Sequence, residues 1–167
     1  MVSVHAKSLA LGGVMAALAL VVMCLGGLIP VATYVCPVLC MVLLCWVSQL
    51  CGRRIGWAWY ASVTILSLLL GPDKEAAVVF AFLGYYPIIK PTLDKSCCPW
   101  VLKLAFFNGM LLLAYGVLIG VLGMEQILAE FQQLGYVITV ITLLLGNVAL
   151  FLLDVILQRI QRLVHRK

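Results

Sequence analysis

The chain has 167 residues, 65% of them hydrophobic and 10% charged, with 11 Lys or Arg against 6 Asp or Glu, and its mean hydropathy is +1.20. Soluble domains are about half apolar and about a quarter charged, so this composition excludes a water-soluble globule, and it excludes disorder, which needs low hydrophobicity and high charge. The net charge of +5 is spread between apolar runs rather than gathered on one face, which argues against a nucleic-acid binder.

An integral membrane protein remains, and a spanning helix needs about 20 apolar residues. In chain order the predicted spans are residues 8–29, 31–50, 57–71, 76–89, 100–123 and 135–157. The runs are continuous and lack period-two alternation, so they read as helices rather than barrel strands. The fold class is all-α, a polytopic single domain over residues 1–167 with six transmembrane helices. The apolar run of residues 8–29 outlasts a signal-peptide core, and Met23 before Cys24 is too large for a lipoprotein cleavage site, so this segment is read as retained. Segments three and four are short, about 21 Å of helix against a hydrocarbon core near 30 Å. Three accommodations stay open: thinning of the bilayer around them, a shared turn sunk below the outer surface, or a single re-entrant hairpin. Residues 124–134 read as an interfacial amphipathic helix, with Met124, Ile127, Leu128, Phe131 and Leu134 on one face.

Orientation follows from Lys and Arg in short loops. With the N-terminus inside, Lys7, Arg53, Arg54, Lys90, Lys95, Lys103, Arg159, Arg162, Arg166 and Lys167 are internal and only Lys74 is external. Both ends are therefore expected in the cytoplasm.

Seven cysteines invite a metal reading, but none stands in CxxC or Cys/His zinc spacing, and His5 and His165 lie at the termini. Buried packing is the expectation, with neither metal nor cofactor; adjacent Cys97 and Cys98 form either a modification site or a plain inner loop. Pro37 and Pro87 are expected to interrupt the second and fourth spans. Polar groups inside a span each need an account. For Asn108 and Asn147 the ordinary account is a hydrogen bond between helices, and for Asp154 it is solvation at the inner interface beside Arg159. Asn147 has a second reading because it falls near the middle of its span. Asp73, Lys74 and Glu75 are three consecutive charges on an otherwise nearly uncharged outer side, with Thr33 and Tyr34 entering from the same side. Capping of the fourth helix explains Asp73 equally well. The functional reading is an outward pocket lined by Thr33, Tyr34, Asp73, Lys74, Glu75 and Asn147. In the first span, Gly12/Ala16 and Gly13/Ala17 form overlapping small-residue pairs that let another helix approach closely.

The run of residues 8–19, with those small pairs, resembles the opening of the substrate-binding S component of energy-coupling-factor (ECF) vitamin transporters, although glycine stands where the family has its first alanine. The resemblance covers the whole chain by topology and one short motif by sequence. It implies a six-helix bundle with both ends inside and an outward pocket. It also implies a bacterial plasma membrane, a vitamin-like small solute, and partnership with a transmembrane coupling subunit and an ATPase pair. Gly12, Gly13, Ala16 and Ala17 would be the docking residues.

The alternative is a scaffold subunit of the cell-wall (rod-shape) machinery, which has similar size and helix count. An enzyme is not expected: the sequence has no Ser/His/Asp, HExxH or phosphate-binding motif.

Overall fold

Where no water is present, a backbone must satisfy its own hydrogen bonds, and long apolar runs do so as helices. The computed structural model describes residues 2–26, 32–96, 98–121, 123 and 125–165, with side chains described over 6, 8–26, 33–96, 98–121, 123, 140–141 and 143–162. Within these residues the elements are helices α1 (Val2–Gly26), α2 (Ala32–Cys51), α3 (Arg53–Leu70), α4 (Lys74–Leu83), α5 (Tyr86–Leu93), α6 (Pro99–Gly120) and α7 (Glu125–His165). Five stretches are long and apolar enough to cross a membrane: Ser8–Gly26, Thr33–Cys51, Lys74–Leu93, Pro99–Gly120 and Leu143–Arg162. Leu9, Leu69, Leu112 and Val121 are 70% exposed or more, a surface suited to lipid and not to water. Both features are those of a multi-pass membrane protein. Pro30, Cys97, Met124, the apolar face expected over 124–134 and the basic end beyond residue 162 lie outside the described side chains.

The third expected span, α3, is not among the five. Arg53 and Arg54 occupy its first turn, and its 18 residues reach about 27 Å. It nonetheless packs along α1, α2, α4 and α5.

The fourth expected span proves to be two helices. Pro87 has no N–H for the Leu83 carbonyl and its ring crowds that oxygen. The helix therefore stops at Leu83, turns through Gly84 and Tyr85, and restarts, with the N–H groups of Ile88 and Ile89 reaching the Tyr85 carbonyl at 3.0 and 3.4 Å. Continuation to Leu93 corrects the expected loop from residue 90 and gives a combined stretch of 20 residues, ample for a hydrocarbon core.

Two further expectations are corrected. Pro37 does not interrupt α2, which runs through it from Ala32 to Cys51. Pro37 stands in the second turn, and the one intrahelical bond it removes is that to the Thr33 carbonyl, after which the helix continues. Residues 125–134 are not a separate helix: they open α7, a single helix of 41 residues, about 62 Å long.

Helix α2 is the hub of the bundle, touching α1, α3, α4, α5 and α7. Its inward residues Cys36, Pro37, Cys40, Met41, Leu44, Cys45 and Val47 are buried. A single residue, Gly52, links it to α3 at φ 93°, a conformation that side-chain-bearing residues rarely adopt. One turn into α3, a Cβ on Gly56 would lie 2.7 Å from Ser48 Oγ and 3.4 Å from Ser48 Cα. Hydrogen at that position is what lets the α2–α3 hairpin close.

The thiols serve the same packing. Cys40 donates to the Ala19 carbonyl at 3.6 Å and Cys51 to the Ser8 carbonyl at 3.4 Å, both across to α1.

Candidate functional site

The bundle carries a polar cluster toward each end, and the two differ in charge balance. One lies where α5 ends, α6 begins and α7 approaches its C-terminus. Asp154 of α7 is 1% exposed and Lys90 of α5 is fully buried. Asp154 Oδ1 accepts from Lys90 and from the Tyr86 hydroxyl at 2.6 Å. Its Oδ2 accepts from Lys103 at 3.1 Å and from Gln158 at 3.0 Å. Asp94, at the end of α5, pairs with Lys103 and with Lys90 at 3.6 Å. Two lysines thus meet two aspartates, and the charges cancel. The Lys103 ammonium also sits 5.6 Å from the centre of the Trp100 ring, a cation–π distance, and that ring stacks on Phe151 at 5.3 Å.

This corrects the expected solvation of Asp154 beside Arg159: the carboxylate is turned inward, away from water. It also corrects the placement of Lys90 and Lys103 among loop charges. A buried carboxylate is tolerable only when paired and hydrogen-bonded, and both oxygens here are. The signal in the sequence was available: an acid inside one span requires a partner, and Lys103 is the sole cation in the 22 residues of α6.

An aromatic ladder leads to the cluster. Trp57 stacks on Tyr85 at 6.1 Å, Tyr85 meets Phe106 edge-on at 5.7 Å, and Phe106 stacks on Tyr86 at 6.2 Å. The Tyr60 hydroxyl donates to the Ala81 carbonyl. Side chains of α3, α4, α5 and α6 are thereby held in one register.

The other cluster lies where α2 and α4 begin and α6 nears its C-terminus. Glu75, in the first turn of α4, accepts on Oε1 from Tyr34 of α2 at 3.1 Å and from Tyr115 of α6 at 2.9 Å. The two phenol oxygens lie 3.1 Å apart. Tyr34 is half exposed, and Glu75 and Tyr115 are partly buried. Among the described residues no cation pairs with Glu75. The adjacent Lys74 turns back instead and donates to the Leu68 carbonyl of α3 at 2.7 Å.

Of the six residues expected to line a pocket, the structure joins Tyr34 and Glu75. Thr33 is half-buried one residue before Tyr34. Asp73 caps α4, its Oδ1 accepting from the Ala76 N–H at 3.0 Å, a contact that satisfies an otherwise unpaired helix donor. Asn147 is engaged elsewhere: its Oδ1 accepts from Asn108 of α6 at 3.1 Å, and its Nδ2 donates to the Leu143 carbonyl at 2.9 Å. Sequence reasoning missed Tyr115, because a tyrosine in an apolar helix shows no sign of which partner it will meet.

The small-residue face of α1 is divided. Gly12 is buried, with a hypothetical Cβ 3.7 Å from Ile55 of α3, and Ala16 is half-buried against the core. Gly13 has no described atom within 4 Å of such a Cβ, and Ala17 is exposed. One small pair serves the chain's own packing, and the other faces outward.

No protein-family model matches the chain, and neither a curated protein nor a solved structure matches it.

Proposed function

We propose that this chain is the solute-binding membrane subunit of an uptake transporter of the energy-coupling-factor type, seated in a bacterial plasma membrane. It takes a vitamin-like small solute from the outside. The observation that carries this reading is the meeting of Tyr34, Glu75 and Tyr115, from three helices, at the end of the bundle that the positive-inside count assigns to the exterior. A carboxylate that no described cation pairs with, at a helix junction, has more to gain from a ligand than the Asp154 cluster, whose carboxylate oxygens are both engaged. The chain has no ATPase motif, so concentrative uptake draws its energy from a partner. The outward pair Gly13/Ala17 on α1 offers the close approach that a coupling subunit needs.

Affinity purification of the full chain from its own cells tests the class directly. Recovery of a transmembrane coupling protein with an ATPase pair supports the proposal. Recovery of cell-wall synthesis enzymes without ATPases overturns it in favour of the scaffold reading.

A further inference from the structure

We propose that the seam between α6 and α7 is an interface for a second copy of this chain, closed across a two-fold axis by the amides of Asn108 and Asn147. Each asparagine side chain carries two N–H donors and one carbonyl oxygen with two lone pairs. Asn108 spends both donors, one on the Leu104 carbonyl at 2.9 Å and one on Asn147 Oδ1 at 3.1 Å. Asn147 spends one donor, on the Leu143 carbonyl at 2.9 Å. Among the described residues nothing donates to Asn108 Oδ1, and the second N–H of Asn147 has no acceptor. An acceptor and a donor are therefore left over side by side.

Their depth makes the leftover groups costly. Asn108 is the tenth of the 22 residues of α6, about 14 Å from its start. The pair thus lies near the middle of the apolar stretch Pro99–Gly120. Both asparagines are half-buried, and around them Leu104, Leu112, Leu144 and Val148 are exposed, as side chains facing hydrocarbon are. Water and lipid headgroups lie toward the ends of such a stretch, and acyl chains satisfy no amide. Amides placed this way act as glue for another helix.

A second copy is the occupant that fits, because the leftover groups are complementary to themselves. In a two-fold interface one patch meets the same patch. The spare N–H of Asn147 in each copy then reaches Asn108 Oδ1 of the other, and two bonds form with no further residue. A different protein would have to bring its own donor and acceptor at the matching spacing. Bulk does not stand in the way. Ala105 and Gly109, beside Asn108 on the outward side of α6, are exposed, and a Cβ on Gly109 would meet no described atom within 4 Å. Small residues here let the two backbones come close enough for short amide side chains to meet. The interface uses α6 and α7, whereas the pair offered to a coupling subunit is on α1, so the two proposals stand independently.

The test counts copies in liposomes. The full chain, carrying one fluorophore on an N-terminal tag, is reconstituted at increasing dilution in lipid, and photobleaching steps give the fraction of dimer. The parent is expected to pass from two steps to one as it is diluted. Asn108→Leu/Asn147→Leu, which removes both amides and strands neither, is expected to shift that transition to roughly tenfold higher density, the size of effect two interhelical hydrogen bonds produce. Gly109→Leu keeps the amides and blocks the approach; it is expected to give the same shift with the unfolding temperature of the monomer unchanged, and it serves if the asparagine variant does not fold. In a cysteine-free background, Gly109→Cys is expected to oxidise to a disulfide-linked dimer. Leu145→Cys, exposed but about 200° round α7 from Asn147, is not. A chain that stays single at every density overturns the proposal. So does a dimer that survives either variant, or one that links through Leu145→Cys as readily as through Gly109→Cys. Trapping of a different protein at Gly109→Cys in the native membrane, without a second copy, also overturns it.

Discussion

Asp154 holds three cationic or hydroxyl donors from two other helices on a carboxylate that is almost wholly out of water. Removing one partner of such a buried set leaves uncompensated charge, and the usual cost is about 3–5 kcal/mol. Asp154→Ala is therefore expected to lower the unfolding midpoint sharply in denaturant titrations of the detergent-solubilised protein. A quadruple variant that also replaces Lys90 and Lys103 by Met and Asp94 by Asn is expected to recover most of the loss, because no charge of the cluster is then stranded. Recovery smaller than about 1 kcal/mol would mean that the carboxylate's role lies elsewhere. Gly56 offers a second check at this scale. Gly56→Ala places a methyl 3.4 Å from backbone on α2 and 2.7 Å from the Ser48 hydroxyl, and overpacking of this kind costs about 1–3 kcal/mol. Gly56→Ala combined with Ser48→Ala is expected to cost less, measured by the same titration. The sequence announces each of these residues as unusual, an acid in a span or a glycine in a helix. It does not announce the partner, because Asp154 and Lys90 are 64 positions apart and only packing brings them together.

At the scale of elements, the two faces of α1 predict opposite outcomes for neighbouring glycines. Gly12→Leu drives a side chain into Ile55 of α3 and is expected to destabilise the isolated protein by about 1–3 kcal/mol. Gly13→Leu meets open space and is expected to stay within about 0.5 kcal/mol of the parent. If the outward pair docks a coupling subunit, Gly13→Leu nonetheless removes that subunit from the purified complex. Comparing thermal unfolding with copurified partner for the two variants separates folding from assembly. Small-residue spacing was legible in the sequence, but it is ambiguous by construction: pairs at i, i+4 one residue apart lie about 100° round the helix from each other, and only the position of α3 decides which pair is covered. The α4–α5 break was equally half-legible. Pro87 marked a fault in the helix, yet continuation of the apolar stretch past residue 90 was obscured by a lysine that reads as a loop charge until its aspartate partner is seen.

For the whole molecule, the proposal rests on sidedness. In a cysteine-free background, Pro72→Cys in the α3–α4 turn and Arg54→Cys in the first turn of α3 both introduce exposed thiols. If α3 crosses the membrane, a membrane-impermeant maleimide is expected to label Pro72→Cys in intact cells and Arg54→Cys only after the membrane is opened. Labelling of both from the outside would make α3 a re-entrant or peripheral helix, and labelling of Pro72→Cys only after the membrane is opened would remove the basis for placing Glu75 at an outward site.

Composition alone settles the solvent this chain is built for. With 65% apolar and 10% charged residues, no arrangement of the side chains yields a polar surface, and helices follow from the absence of water to hydrogen-bond the backbone. Charge balance within the bundle is another matter. Lys90, Lys103 and Asp154 are counted one way as isolated letters and, with Asp94, another way as a neutral buried cluster, whereas Glu75 gathers two phenols and, among the described residues, no cation. Which charges cancel and which are left over depends on distances of a few ångströms between helices far apart in sequence, and electrostatic energy varies steeply over such distances. The difference between the paired Asp154 and the phenol-bound Glu75 therefore emerged from how the helices pack together, not from the order of the residues.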